Sequence, residues 1–156
     1  MASQGNDTLL NTGTLPTDAF IVIVKTEWNA HITNELEAGC IKVLASYKIQ
    51  VETITVPGAV EIPFAIKRHW HRSNQSLNIP SAYIALGCVI QGDTPHFDYV
   101  CRTITDGILQ LNLTLPVPVI FGVLTVNNEQ QALDRIGGNH GHKGEEAAIT
   151  ALKMIG

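Results

Sequence analysis

Four short runs rich in β-branched apolar residues alternate with segments whose apolar residues recur every three or four positions. That alternation leaves few folds open. Phe20 to Val24, Val51 to Val56, Tyr83 to Ile90 and Val119 to Thr125 read as strands. Ile21, Val22 and Ile23 are contiguous rather than alternating, as in a strand buried on both faces. Thr33 is placed to cap a helix in which Leu36, Cys40, Val43, Leu44 and Tyr47 share one stripe. Glu61 to Trp70 reads as a second helix, and Arg72 to Pro80 as a loop. Val100, Ile104, Ile108 and Leu111 stripe a third helix that starts near Asp98. Asn127 or Asn128 caps a fourth, which Gly137-Gly138 ends. Gly144 precedes a last helix carrying Ala148, Leu152 and Ile155. Strands that alternate with helices build a parallel sheet covered on both faces. The expectation is therefore an α/β chain, a single-domain three-layer α/β/α sandwich around a four-stranded parallel sheet.

Residues 1–18 are polar and lack a packing pattern, so they are expected to form an arm, available to pair with a neighbouring subunit. Residues 19–156 form the domain. Only 15% of the 156 residues are charged, against 45% hydrophobic. A free monomer rarely exposes large apolar patches, so this balance points to surface covered by other subunits. The net charge of −4 argues against nucleic acid or an anionic membrane as the main partner. Cys40, Cys88 and Cys101 lie within apolar patterns without a Cys-x-x-Cys motif, which predicts buried free thiols in a reducing compartment. No apolar stretch approaches the roughly 18 residues of a membrane span. Residues 1–17 lack the features of a signal peptide, and a cytoplasmic protein is expected.

Parallel topology brings the carboxyl ends of all four strands to one edge, where ligands of such sheets bind. Trp28-Asn29 follows the first strand, Pro57-Gly58-Ala59-Val60-Glu61 the second and Gly92-Asp93-Thr94-Pro95-His96 the third, while Leu124-Thr125 ends the fourth. Trp28 offers a stacking face for a planar heterocycle, although the same residue could serve as a core tryptophan. Gly92-Asp93-Thr94 can present backbone N–H groups to a phosphate at a helix start. His96 is a residue type that moves protons near neutrality, or simply polar surface. Arg135 and Lys143 flank the glycine-rich stretch 137–144 and could clamp an anion. That stretch is not a Walker A loop. The histidine pairs His69/His71 and His140/His142 have no accompanying ligand motif, so no metal site is expected.

Val56-Pro57-Gly58-Ala59-Val60-Glu61-Ile62-Pro63, Gly87 to Val100, Phe121-Gly122-Val123-Leu124-Thr125, and Glu129 to Arg135 with the following glycines and Lys143-Gly144 resemble the lumazine synthase family. The resemblance runs from about Phe20 to Ile155. It implies a flavodoxin-like fold and a cofactor-free condensation of 5-amino-6-ribitylaminouracil with 3,4-dihydroxy-2-butanone 4-phosphate in riboflavin biosynthesis. By that resemblance Trp28 stacks on the pyrimidine. Asn29, Gly58, Ala59, Val60, Glu61, Val89 and Ile90 surround the ring and ribityl chain, with Glu61 accepting ribityl hydroxyls. Gly92, Asp93 and Thr94 correspond to the phosphate loop, Arg135 to the phosphate-binding arginine and His96 to the proton-transfer histidine. Lys143 and Phe121 correspond to the wall supplied by a neighbouring subunit, and Glu146 to a carboxylate that orients the histidine.

The resemblance also implies pentamers, in some relatives packed twelve to a hollow icosahedral shell of 60 subunits, and riboflavin synthase as a candidate partner. Three positions depart from the family pattern. Glu27 stands where an arginine is common, His140 where a lysine is common, and Pro95 stiffens the phosphate loop. The rival readings are a non-catalytic flavin-binding or storage protein, a flavodoxin-like electron carrier and a purely structural shell protein.

Overall fold

The computed structural model describes residues 13–73 and 78–156. Strand β1 (Phe20–Thr26) leads into helix α1 (Ala30–Ser46), and β2 (Gln50–Val56) leads through a 3-10 turn (Ala59–Glu61) into α2 (Ile62–Ser73). Next come β3 (Ala82–Ile90), α3 (His96–Thr114) and β4 (Val119–Val126). The chain closes with a short α4 (Glu129–Leu133), a ribbon of β5 (Ile136–Gly138) and β6 (Gly141–His142), and α5 (Lys143–Ile155).

The four long strands form one sheet in the order β2-β1-β3-β4. All pairs are parallel; Ile23, for example, lies opposite Thr53 on one side and Ile84 on the other. This is the strand order of a flavodoxin-like doubly wound sheet, the fold class that the resemblance implies. Ile21, Ile23, Ile84, Leu86 and Ile120 pack under α1 and α5 on one face. Val22, Val24, Tyr83, Ala85 and Val123 pack under α2 and α3 on the other. Two apolar layers explain why β1 and β3 read as unbroken apolar runs: each strand has to satisfy both faces at once.

Helices α1 and α5 cross so closely that a Cβ on Gly144 would lie 2.0 Å from the Leu36 carbonyl oxygen. The Cys40 thiol donates to the Gly144 carbonyl at 2.9 Å at the same crossing. Gly144 is thus a packing residue in the first turn of α5, which begins at Lys143 and so includes the glycine that the sequence reading placed before it.

Several local expectations are corrected. Thr33 is not a cap. The position before α1 is taken by Asn29 in the left-handed region (φ 57, ψ 42), whose carbonyl accepts from the N–H groups of Ile32 and Thr33. Asparagine tolerates that conformation better than most residues, which frees the Thr33 side chain to turn inward. Helix α3 starts at His96 rather than near Asp98: Pro95 before it already has helical backbone angles (φ −61, ψ −3), the φ being fixed by its ring, and leads directly into the first turn. Of Asn127 and Asn128, the latter caps α4 by accepting from the Gln131 N–H at 3.0 Å. That helix stops at Leu133, and Gly137-Gly138 belong to the ribbon instead of ending it. Helix α2 runs on to Ser73, past the predicted Trp70 and into the predicted loop. Cys40 and Cys88 are buried as expected, but Cys101 is only half-buried. The first twelve residues of the arm lie outside the described residues.

Candidate active site

The chain order reverses across β1 and β3: the chain leaves β1 towards the α1 face and β3 towards the α3 face. A crevice opens where their connections diverge, as the geometry of doubly wound sheets requires. It encloses about 590 Å³ and is lined by Thr26, Trp28 and Asn29 after β1, by Pro57 to Glu61 after β2, and by Cys88 to Ile90, Gly92, Thr94, His96, Phe97 and Val100 around β3 and α3. The volume lies within the range of small-molecule sites. Eleven predicted residues meet here, namely Trp28, Asn29, Gly58, Ala59, Val60, Glu61, Val89, Ile90, Gly92, Thr94 and His96. Asp93 sits between two of them on the exposed loop without itself lining the crevice.

The Trp28 side chain is 77% exposed, an unusual state for a large aromatic. This settles the choice between core and open ring face. Its backbone, by contrast, is fixed: the Trp28 N–H donates to Pro57 O at 3.1 Å and its carbonyl accepts from Thr26 Oγ1 at 3.0 Å. Asn29 Nδ2 donates to the Cys88 carbonyl at 2.8 Å, so the amide ties the β1 loop to the end of β3. Glu61 ends the 3-10 turn, exposed beside Trp28. The walls supplied by Ala59, Val89 and Val100 are apolar, and the polar groups are few and convergent. That is the composition of a small-molecule site, and the exposed Trp28 ring offers it a flat aromatic face.

Cys88 at the base is a free thiol whose pKa burial, reinforced by the charge of Glu129, pushes up to about 11. It stays protonated near neutrality and is unsuited to nucleophilic attack. Candidates for proton transfer are therefore His96 and Glu61.

Phe121, Lys143 and Glu146 do not join this crevice. They line a second groove of about 450 Å³ beside the edge strand β4, with Asn112, Leu124, Thr150 and Met154 among its other walls. Lys143 Nζ donates to both oxygens of Glu146 at 2.8 Å, so within one protomer Glu146 serves the lysine and does not reach His96. The predicted contribution of Leu124-Thr125 to the first crevice is corrected, because Leu124 faces the groove. Arg135 lines neither cavity; its Nη1 donates to Gln131 O at 2.7 Å, and its carbonyl accepts from the Lys143 N–H at 2.8 Å. Within one chain the structure thus places eleven predicted site residues in the crevice and Phe121, Lys143 and Glu146 in the groove, with Arg135 and Asp93 lining neither.

Residues the sequence reading missed are Thr26, Phe97 and Val100 in the crevice and His142 beside Lys143. His142 caps α5 by accepting from the Glu145 N–H at 3.4 Å through Nδ1. Their types carry no motif, and only the register of β1 and the α3 stripe could have pointed to the first three. Among the described residues no cluster of three His, Cys, Asp or Glu has metal-binding geometry. No helix among the described residues is long and apolar enough to cross a membrane.

Comparison with known proteins adds a second line. The family model for 6,7-dimethyl-8-ribityllumazine synthase matches residues 18–156. A protein of that name from Bacteroides fragilis is 48% identical over 136 residues, covering 85% of this chain and 92% of the relative. One from Parabacteroides distasonis is 47% identical over 138 residues, covering 86% and 83%. One from Christiangramia forsetii is 42% identical over 160 residues, covering 99% and 93%.

Proposed function

The chain belongs to the 6,7-dimethyl-8-ribityllumazine synthase family, and from that premise we propose that its catalytic unit consists of the crevice of one protomer and the β4 groove of the next. The reaction condenses 5-amino-6-ribitylaminouracil with 3,4-dihydroxy-2-butanone 4-phosphate, releasing phosphate and two waters, in riboflavin biosynthesis. The observation that carries the shared site is the division just described. Trp28, Glu61 and His96 line one cavity, whereas Phe121, Lys143 and Glu146 line another. A ring of protomers related by rotation presents the second surface of each to the first surface of its neighbour.

In that arrangement Trp28 stacks on the pyrimidine from one side and the neighbour's Phe121, 41% exposed on its edge strand, covers the other. Glu61 accepts hydrogen bonds from the ribityl hydroxyls. The exposed start of α3, with Gly92 and Thr94, offers N–H groups to the phosphate, and the neighbour's Arg135 and Lys143 supply its countercharge. The amine of the uracil attacks the ketone, and loss of water gives an imine. Removal of a proton next to the imine lets phosphate leave, and the second nitrogen closes the ring with loss of the second water. His96, at the mouth of the crevice, moves the protons. Holding two substrates in register can lower such a barrier by about 7–11 kcal/mol, while one general acid–base group contributes about 10²–10⁴-fold. Positioning therefore dominates.

Two exposed apolar residues on α3, Leu109 and Leu113, support assembly, as does the low charged fraction. We assign a pentamer on these grounds and on the family resemblance, with a cytoplasmic location; a 60-subunit shell and an association with riboflavin synthase are extensions of the same assignment. Mixing both substrates with the purified protein tests the function. Appearance of lumazine fluorescence at a rate proportional to protein supports it, and tight flavin binding without turnover would favour a storage protein.

A further inference from the structure

Among the described residues three serine or threonine side chains are buried, and two of them, Thr26 (2% exposed) and Thr33 (0% exposed), are linked by hydrogen bonds to the backbone of Trp28. We propose that these two threonines are positioning residues: a relay of two buried hydroxyls that fixes the backbone from which the Trp28 ring enters the crevice. The proposal rests on the assignment of Trp28 to the heterocycle.

Thr33 Oγ1, in the second turn of α1, donates to the Thr26 carbonyl at 2.9 Å. Thr26 Oγ1, at the end of β1, donates to the Trp28 carbonyl at 3.0 Å. The chain of contacts thus runs from the body of a helix, through the last residue of a central strand, to the loop that carries the aromatic ring. Valine has the same shape as threonine and would fill both positions without burying a hydroxyl, which is unfavourable unless the hydroxyl is bonded. Packing therefore does not account for the two oxygens; the carbonyls they hold do.

Those carbonyls belong to the segment that leaves β1, where regular strand pairing ends and the backbone needs other partners. The loop is further held by the Glu27 N–H on Val56 O at 2.8 Å and by the Asn29 side chain on Cys88 O at 2.8 Å. Trp28 consequently has a fixed backbone and a free ring face. The ordering that stacking requires is built in when the protein folds, so less ordering remains to oppose substrate binding.

The test combines motion and kinetics. With Trp70→Phe as background, Trp28 is the sole fluorophore of its kind, and time-resolved anisotropy reads its ring motion. Thr26→Val is expected to enlarge the fast depolarisation of Trp28 and to raise KM for the pyrimidine substrate about tenfold. KM for the butanone phosphate stays within twofold, and Thr26→Ser restores both readouts. Thr33→Val, one step further back, shifts both in the same direction and covers the case in which Thr26→Val fails to fold. Unchanged anisotropy in a folded valine variant overturns the relay, as does an equal loss for both substrates that serine does not rescue. Trp28→Ala is the control for the underlying assignment. If that variant leaves the pyrimidine KM unaltered, stacking is wrong, while the anisotropy still judges the relay by itself.

Discussion

Trp28 and Glu61 converge over Gly58: a Cβ on that glycine would lie 3.1 Å from Glu61 Oε2 and 3.9 Å from Trp28 Cε3. The backbone there is extended (φ −145, ψ 178), so it is not conformation that calls for glycine but the approach of the two side chains. An added methyl meets the tip of a movable carboxylate rather than backbone. Gly58→Ala is therefore expected to fold with an unchanged thermal midpoint and to raise KM for the ribityl substrate several-fold by displacing Glu61. Glu61→Gln, which keeps the shape and weakens the acceptor, raises the same KM by about 10-fold, the cost of weakening hydrogen bonds to a charged group. Steady-state kinetics with each substrate varied in turn checks both.

On the proposed assignment, His96 and Arg135 differ in what their loss removes. His96→Ala takes away a proton carrier whose work water can partly replace, and kcat is expected to fall by about a hundredfold or less, the low end for general acid–base catalysis. Arg135→Ala removes a permanent charge from the phosphate, with a larger loss in kcat/KM that falls mainly on KM for the butanone phosphate. The reverse order would show that proton transfer, not positioning, limits the reaction.

Alkaline pH should unfold the protein earlier than its acidic groups alone would suggest. Burial pushes the Cys40 thiol up to about 12 and the Cys88 thiol up to about 11, against an ordinary value of 9.0. The Tyr83 hydroxyl is raised as well, by burial and the Glu52 charge. For each group the folded state holds its proton more tightly than the unfolded chain. The associated stability is complete below pH 9 and is lost as pH rises from there towards 11 to 12. Urea midpoints measured from pH 7 to 11 are expected to fall above pH 9, and Cys40→Ala to flatten that slope while lowering the midpoint at pH 7.

The cap of α5 gives a fourth prediction. His142→Ala leaves the Glu145 N–H without its side-chain partner, at a cost of about 1 kcal/mol. For a chain of this length that lowers the thermal midpoint by about 2–4 °C. His142→Asn, which restores a side-chain acceptor, recovers most of the loss in a calorimetric scan.

What the sequence showed and what it hid follow from the kind of signal each feature leaves. The sheet was legible because β1 and β3 must be apolar on both faces, and few other structures require runs such as Ile21-Val22-Ile23. The crevice was legible because parallel strands bring their carboxyl ends together wherever the helices happen to start. Helix starts were less so: Thr33 has the chemistry of a cap, yet Asn29 took the position and Thr33 turned its hydroxyl inward. The β5–β6 ribbon left no trace, since a stretch as rich in glycine as 137–144 has no apolar period to read. The division of the site was hidden as well. Strand order is not written in local sequence, and only with β4 at the sheet edge do Phe121 and Lys143 fall away from Trp28 and His96.

The most direct measurement of a site built from two protomers is complementation between variants that disable opposite halves. Trp28→Ala/His96→Ala removes the crevice half, and Arg135→Ala removes the countercharge that the proposal assigns to the neighbouring protomer. When the two chains are co-assembled in equal amounts, about one quarter of the sites receive an intact half from each neighbour in a ring of heterologous contacts. Lumazine formation should then rise to about a quarter of the wild-type rate, well above the mean of the two parent variants. Activity that never exceeds that mean would show that each protomer completes its own site.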